Sequence, residues 1–202
     1  MENIDFSSLV PFVVVTIYTP GPSNIACTSM GVNYGMKKSL SFIYGLVSGF
    51  ILIMLLASFF SNLLLEIIPS LKSIMRWVGS AYILYLAYRI YQADYSHQQD
   101  SHKETLLYFK HGFLLQFLNP KVFIFVLTLY TAFLHPIIHM PGYIILFTTV
   151  LALLGFSSNL LWSSFGTTIS HFLHQEKVRK IINTMLALLL VYTALKLTGI
   201  LF

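Results

Sequence analysis

Charge is what this sequence has least of. Asp, Glu, Lys and Arg together make up 9% of its 202 residues, against about 25% in an average soluble domain. So few charged side chains cannot cover a water-soluble globule. The same shortage excludes disorder, which needs low hydrophobicity and high charge. Cysteine is nearly absent too. Cys27 stands alone, which rules out an intramolecular disulfide and a cysteine metal site. Acids number seven, and none falls in the middle of an apolar run; Glu66 comes nearest. The chain opens Met-Glu-Asn-Ile-Asp, acidic where a cleaved signal peptide would be basic.

Apolar residues are abundant instead, at 56%, and they come in continuous runs such as ILIMLLASFFSNLLL at 51–65. A membrane-spanning helix takes about 20 apolar residues, whereas barrel strands alternate over about 10. The runs predict one all-α membrane domain over residues 1–202, crossing the bilayer with six helices at 6–30, 40–65, 74–91, 112–134, 143–165 and 178–201. The polar loop 93–105 divides them. Lys37, Lys38, Arg89, Lys103, Lys110, Lys177, Arg179 and Lys180 fall on one side of such a chain, and only Lys72, Arg76 and Lys196 on the other. The positive-inside rule places the first set in the cytoplasm and both termini outside. The net charge of +5 is therefore a topology signal, and no nucleic-acid partner is expected.

The loop leaves two sets of three spans, with repeat one at about 1–95 and repeat two at about 106–202. Tyr85-Leu-Ala-Tyr-Arg89 resembles Tyr192-Thr-Ala-Leu-Lys196. Each half also opens with a proline-interrupted span, helices 1 and 4. Three is odd, so the halves insert with opposite topology. Inverted repeats with interrupted helices in matching positions are a transporter signature.

The first interruption is Thr19-Pro20-Gly21-Pro22. Proline has no amide proton and clashes with the carbonyl four residues back. Pro20 thus frees the carbonyl of Thr16, and Pro22 that of Tyr18, with Gly21 permitting a tight turn. Backbone left unsatisfied in lipid must face protein or a wet cavity. Beyond Pro22 a new half-helix starts, and its first amides, near Ser23 and Asn24, carry the positive end of a helix dipole. Freed carbonyls suit an ammonium and free amides suit a carboxylate, which together describe a zwitterionic amino acid. A packing kink without a ligand has the same spacing.

Asn119-Pro120-Lys121 supplies the second interruption. Pro120 disturbs the carbonyl of Gln116, and Asn119 can cap the next turn. Lys121 lies near mid-membrane, where a lysine costs about 2.5–3.5 kcal/mol on insertion scales and faces the bundle interior. It would meet a carboxylate or serve a gate; snorkelling, or ligation by freed carbonyls for structure alone, are the bland alternatives. Pro20, Gly21, Pro22, Asn24, Asn119, Pro120 and Lys121 are the candidate substrate-binding or gating residues.

Gly31-x3-Gly35 and Gly45-x3-Gly49 read as close-packing motifs. Tyr82, Tyr85 and Tyr88 share a helix face that packs in the bundle or lines a polar path. Asn159, with Ser157 and Ser158, is a polar patch suited to helix–helix hydrogen bonds or to substrate. His135 and His139 fall on the opposite side of the membrane from His171 and His174, near Glu176, so no single metal site is expected. No catalytic constellation is visible, and no cofactor is called for.

With those residues in view the chain resembles the LysE/RhtB family of bacterial amino-acid exporters. Thr-Pro-Gly-Pro at 19–22, the glycines 31, 35, 45 and 49, and Asn119-Pro120-Lys121 after Gly112-Phe-Leu-Leu carry the resemblance, over about residues 10–200. Pro22-Ser-Asn24-Ile, Val78-Gly-Ser-Ala-Tyr82, Leu115-Gln-Phe117 and Leu186-Ala-Leu-Leu-Leu-Val-Tyr192 look most like the branch that exports cysteine and O-acetylserine. The resemblance implies a six-helix fold in the bacterial inner membrane and export of small neutral amino acids by proton antiport. Its partners would be the amino acid, protons and the lipid bilayer, and it is compatible with a homodimer. A metal or other ion exporter of a related branch is the alternative; a membrane-embedded enzyme fits less well.

Overall fold

Helix is the only regular structure among the residues that this computed structural model describes, namely 4–59, 75–92, 101–137, 139–172 and 176–198. A chain in hydrocarbon must satisfy its backbone within each segment, and these apolar runs do so as helices. They are α1 Phe6–Tyr18, α2 Pro22–Phe59, α3 Ser80–Tyr91, α4 Ser101–Leu118, α5 Pro120–Thr128, α6 Pro141–Phe172 and α7 Glu176–Thr198. Met75–Gly79 leads into α3 and Leu129–Phe133 extends α5, both as wide π-helical turns. Among the described residues, Pro22–Phe59 and Pro141–Ile169 are long and apolar enough to cross a membrane. The pair Phe109–Leu118 and Pro120–Phe133, bent by 59°, makes a third if taken as one broken span. Residues 60–65, 74 and 199–201 of the expected spans, residues 93–100 of the expected loop, Glu66, Lys72, His174 and the side chains of His135 and His171 lie outside the described residues, and 101–105, expected as loop, is the first part of α4.

Helix α2 is continuous in sequence but not in direction. Gly35 has φ 74° and ψ 170°, a conformation essentially reserved for glycine. Ser158 and Thr167 of α6 donate to the carbonyls of Ile17 and Gly31 respectively, so the chain through 22–34 runs parallel to α6. After Gly35 the order inverts. Met36 meets Ser164, and Tyr44 stacks on Phe156. The chain therefore reverses at Gly35, and 36–59 runs antiparallel to α6. This corrects the reading of Gly31-x3-Gly35 as one packing motif. Gly31 packs, whereas Gly35 has nothing within 4 Å of where a Cβ would stand and serves the turn.

Two close crossings hold the bundle. A Cβ on Gly31 would stand 2.1 Å from the carbonyl oxygen of Ser163, and one on Gly166 2.1 Å from that of Thr28. Gly45 and Gly112 repeat the relation with the carbonyls of Phe109 and Phe42, also at 2.1 Å. In both crossings each glycine covers the carbonyl one turn before its partner glycine. Only small residues let backbones approach so closely. The first crossing joins 22–34 to α6, the second 36–59 to α4. Gly49 fits the same face, where a Cβ would press on Gln116 Cβ at 2.9 Å.

Two apolar cores flank the interruptions. One gathers Ile25, Phe42, Leu46, Ile83, Leu115 and Leu190. The other is aromatic: Phe12 of α1 stacks between Phe125 and Phe133, at 5.6 and 5.4 Å. There the Tyr130 hydroxyl donates to the Met54 carbonyl. The tyrosine row of α3 does not line a common polar path. Tyr82 is half-buried and donates to the His111 carbonyl, while Tyr85 and Tyr88 are exposed.

Candidate functional site

Helix α1 stops at Tyr18 because its next turn contains Pro20. Thr19 turns extended, at φ −66° and ψ 136°, and its N–H closes the last turn on Val15. Ending a helix strands the carbonyls of its whole last turn, not only those opposite a proline. The carbonyls opposite the prolines, Thr16 and Tyr18, accept no bond among the described residues, while side chains fill those of Ile17 and Thr19. Ser158 Oγ donates to Ile17 O at 3.0 Å. Asn24 Nδ2 donates to Thr19 O at 3.0 Å and reaches Ile17 O at 3.4 Å.

Helix α2 then restarts with Pro22 as its first residue. Gly21 precedes it and has no side chain to cap with. The first amide bonded across the break is that of Ile25, to the Gly21 carbonyl at 2.9 Å. The N–H groups of Ser23 and Asn24 have no partner among the described residues. Gly21 has an ordinary φ, since Gly35 is the positive-φ glycine among the described residues. Its need for a missing side chain is therefore one of space. A Cβ there would stand 3.0 Å from Lys121 Cδ, so the lysine stem lies across the glycine.

The second break is built as expected. Asn119 is extended, and its Oδ1 accepts from the Lys121 N–H at 3.1 Å, capping α5 with Pro120 in first position. That role fixes the direction of a hydrogen-bond relay. With Oδ1 committed as acceptor, Asn119 Nδ2 donates to Ser23 Oγ at 2.9 Å. The Ser23 hydroxyl donates in turn to Gln116 Oε1 at 3.3 Å.

The two breaks meet. Lys121 Nζ donates to the Thr19 carbonyl at 2.6 Å. Together they border a cavity of about 80 Å³. One water needs about 10–15 Å³ of such space, so a small solute fits. Gly21, Ser23, Asn24, Gln116, Asn119 and Lys121 are among its polar lining residues, and Leu46, Phe50, Phe125 and Leu151 among its apolar ones. Lys121 is the one ionisable residue in that lining.

Of the residues picked out in the sequence, Gly21, Asn24, Asn119 and Lys121 line the cavity, and Pro20, Pro22 and Pro120 act only through the backbone they interrupt. Ser158 and Asn159 of α6 line it as well; the Asn159 amide oxygen accepts from the Cys27 thiol at 3.6 Å. The residue that sequence reasoning passed over is Gln116. Its carbonyl was noted because it lies opposite Pro120, but its side chain, a lone polar group between Leu115 and Phe117, went unread. No group of three or more potential metal ligands occurs among the described residues.

A family model described as LysE type translocator matches residues 14–199. A cysteine/O-acetylserine efflux protein from Shigella flexneri serotype 5b (strain 8401) is 30% identical over 98% of this chain and 99% of its own length. One from Escherichia coli (strain K12) is 30% identical over 95% and 96%. No solved structure matches.

Proposed function

The chain belongs to the LysE type translocator family, and on that premise we propose that it exports a small neutral amino acid of the cysteine or O-acetylserine kind in exchange for a proton. As a translocator it is a membrane transport protein and not an enzyme. The names of its relatives support the substrate class. The observation that carries the reading is the bond from Lys121 to the Thr19 carbonyl beside the cavity.

The carbonyl at the end of α1 carries the negative end of that helix dipole and suits an ammonium; the free N–H groups that open α2 suit a carboxylate. Both lie at the one break around Gly21, so a substrate carrying both groups can address them together. In this reading the Lys121 ammonium stands in for the substrate's ammonium while the site is empty. Substrate and protonated lysine compete for one carbonyl. Binding from the cytoplasm releases the lysine's proton to that side. Reprotonation from outside returns the ammonium to Thr19 and expels the substrate. Occupancy by one excludes the other, which is the requirement for antiport. A cationic substrate is disfavoured, because the lining holds a lysine and no acid.

The surrounding architecture in this proposal is six spans in two inverted repeats within the bacterial inner membrane, with both termini periplasmic. The two glycine crossings support it. They share one geometry, and the reversal at Gly35 makes them run in opposite directions.

Counterflow into proteoliposomes, with a panel of radiolabelled amino acids and one divalent metal, tests the function. Small neutral amino acids, cysteine among them, are expected to exchange. Movement of the metal with no amino acid would establish the ion-exporter alternative instead.

A further inference from the structure

We propose that Gln116 is a substrate-binding residue, whose side-chain amide donates to the substrate carboxylate beside the free N–H groups of Ser23 and Asn24. This rests on the amino-acid transport reading above and adds a residue to its site.

The argument starts from the relay. Lys121 N–H occupies Asn119 Oδ1, so Asn119 Nδ2 is a donor to Ser23 Oγ. The Ser23 oxygen is thereby an acceptor, and its own proton goes to Gln116 Oε1. A flipped Gln116 would confront the serine with two donors and leave the serine proton unplaced. The relay therefore sets the amide orientation that hydrogen-bond networks must otherwise decide case by case. Gln116 Nε2 is left with two protons and donates to no described residue.

That donor belongs to a buried residue but is itself open to the cavity. Gln116 is 8% exposed and lines the cavity. Its stem is held against Gly49, where any side chain would meet Gln116 Cβ at 2.9 Å. An amide donor that opens on a largely apolar cavity without a protein partner is available to a ligand that fills it. Gln116 Nε2 and the amides of Ser23 and Asn24 are three unpartnered donors on residues that line the cavity, and the Ser23–Gln116 bond ties them together. None of them carries a proton acceptor to spare. The complementary group is a carboxylate, which offers two oxygens and about four lone-pair sites. Asn159 also lines the cavity with an unpartnered Nδ2, but it has no contact with Ser23 and so is not tied to the α2 terminus.

The test is transport of radiolabelled L-cysteine under reducing conditions into proteoliposomes, competed by unlabelled L-cysteine and by its methyl ester. Gln116→Glu keeps the acceptor for Ser23 and the stem against Gly49, and replaces only the donor. It is expected to raise KM for cysteine by about tenfold or more, the scale of one hydrogen bond to a charged group, and to erase the preference for acid over ester. Gln116→Leu, similar in volume and uncharged, is expected to flatten the same preference without adding a negative charge. A Gln116→Glu protein with the wild-type KM would overturn the assignment, as would a Gln116→Leu protein that loses acid and ester equally. If the wild-type protein moves no amino acid, it is the transport reading that has failed.

Discussion

Lys121 and Thr19 lie 102 positions apart in the chain, and the ammonium of one donates to the carbonyl of the other at 2.6 Å. Each is at an end that a proline made. Thr19 closes α1 before Pro20, and Lys121 opens α5 after Pro120. A charge of one sign is placed on a helix end of the other, across two broken helices, at the edge of a cavity. Asn24 shares the same carbonyl from the other side.

Gly21 is predicted to matter through that lysine. Gly21→Ala places a Cβ 3.0 Å from Lys121 Cδ, which is the flexible stem of a side chain, so the fold should survive and the ammonium should shift. Efflux from proteoliposomes is expected to fall by about tenfold, or 1.4 kcal/mol in the barrier, with unchanged insertion and thermal stability. A Gly21→Ala protein that exports normally would show that the position of the ammonium is not critical.

The packing glycines should behave in the opposite way. Gly31→Ala or Gly112→Ala drives a Cβ to 2.1 Å from a backbone carbonyl, which cannot swing aside. Each should cost about 1–3 kcal/mol or more by overpacking, visible as lower thermal stability in detergent. Gly35→Ala has open space around it yet should cost about 1–3 kcal/mol through its backbone conformation. Gly142→Ala, with nothing within 4 Å, serves as the control and should be neutral.

Much of this was legible in the residues, and the misses have physical causes. Proline has a fixed backbone requirement, so both interruptions and the Asn119 cap could be read directly. The glycine spacing did announce close crossings. It could not separate Gly31, which packs, from Gly35, which turns, because the same residue type answers both needs. Proline geometry points to the carbonyls of Thr16 and Tyr18, which accept no bond among the described residues; the filling of Ile17 and Thr19 by distant side chains is not written in the local sequence. Gln116 was missed because its significance lies in which way a relay points. That direction depends on Ser23, far away in sequence.

Charge asymmetry predicts where the termini lie. Eight of the lysines and arginines fall on the loops after the first, third and fifth expected spans or at the span ends beside them, so a C-terminal reporter active only in the cytoplasm should stay silent. One placed in the 93–105 loop should be active. The reverse pattern would overturn the orientation, and activity at both sites would overturn the six-span arrangement.

The central claim is that the Lys121 ammonium competes with substrate for the Thr19 carbonyl and so couples export to protons. Transport of radiolabelled cysteine driven by a pH gradient, compared with counterflow in the absence of one, measures that coupling in Lys121→Met, which keeps the length and apolar stem but deletes the charge. Gradient-driven transport is predicted to fall by at least about tenfold while counterflow persists, with Lys121→Arg recovering only part, because a planar fork does not replace a compact ammonium. A Lys121→Met protein that inserts normally and accumulates cysteine under the imposed proton gradient at the wild-type rate would contradict the account.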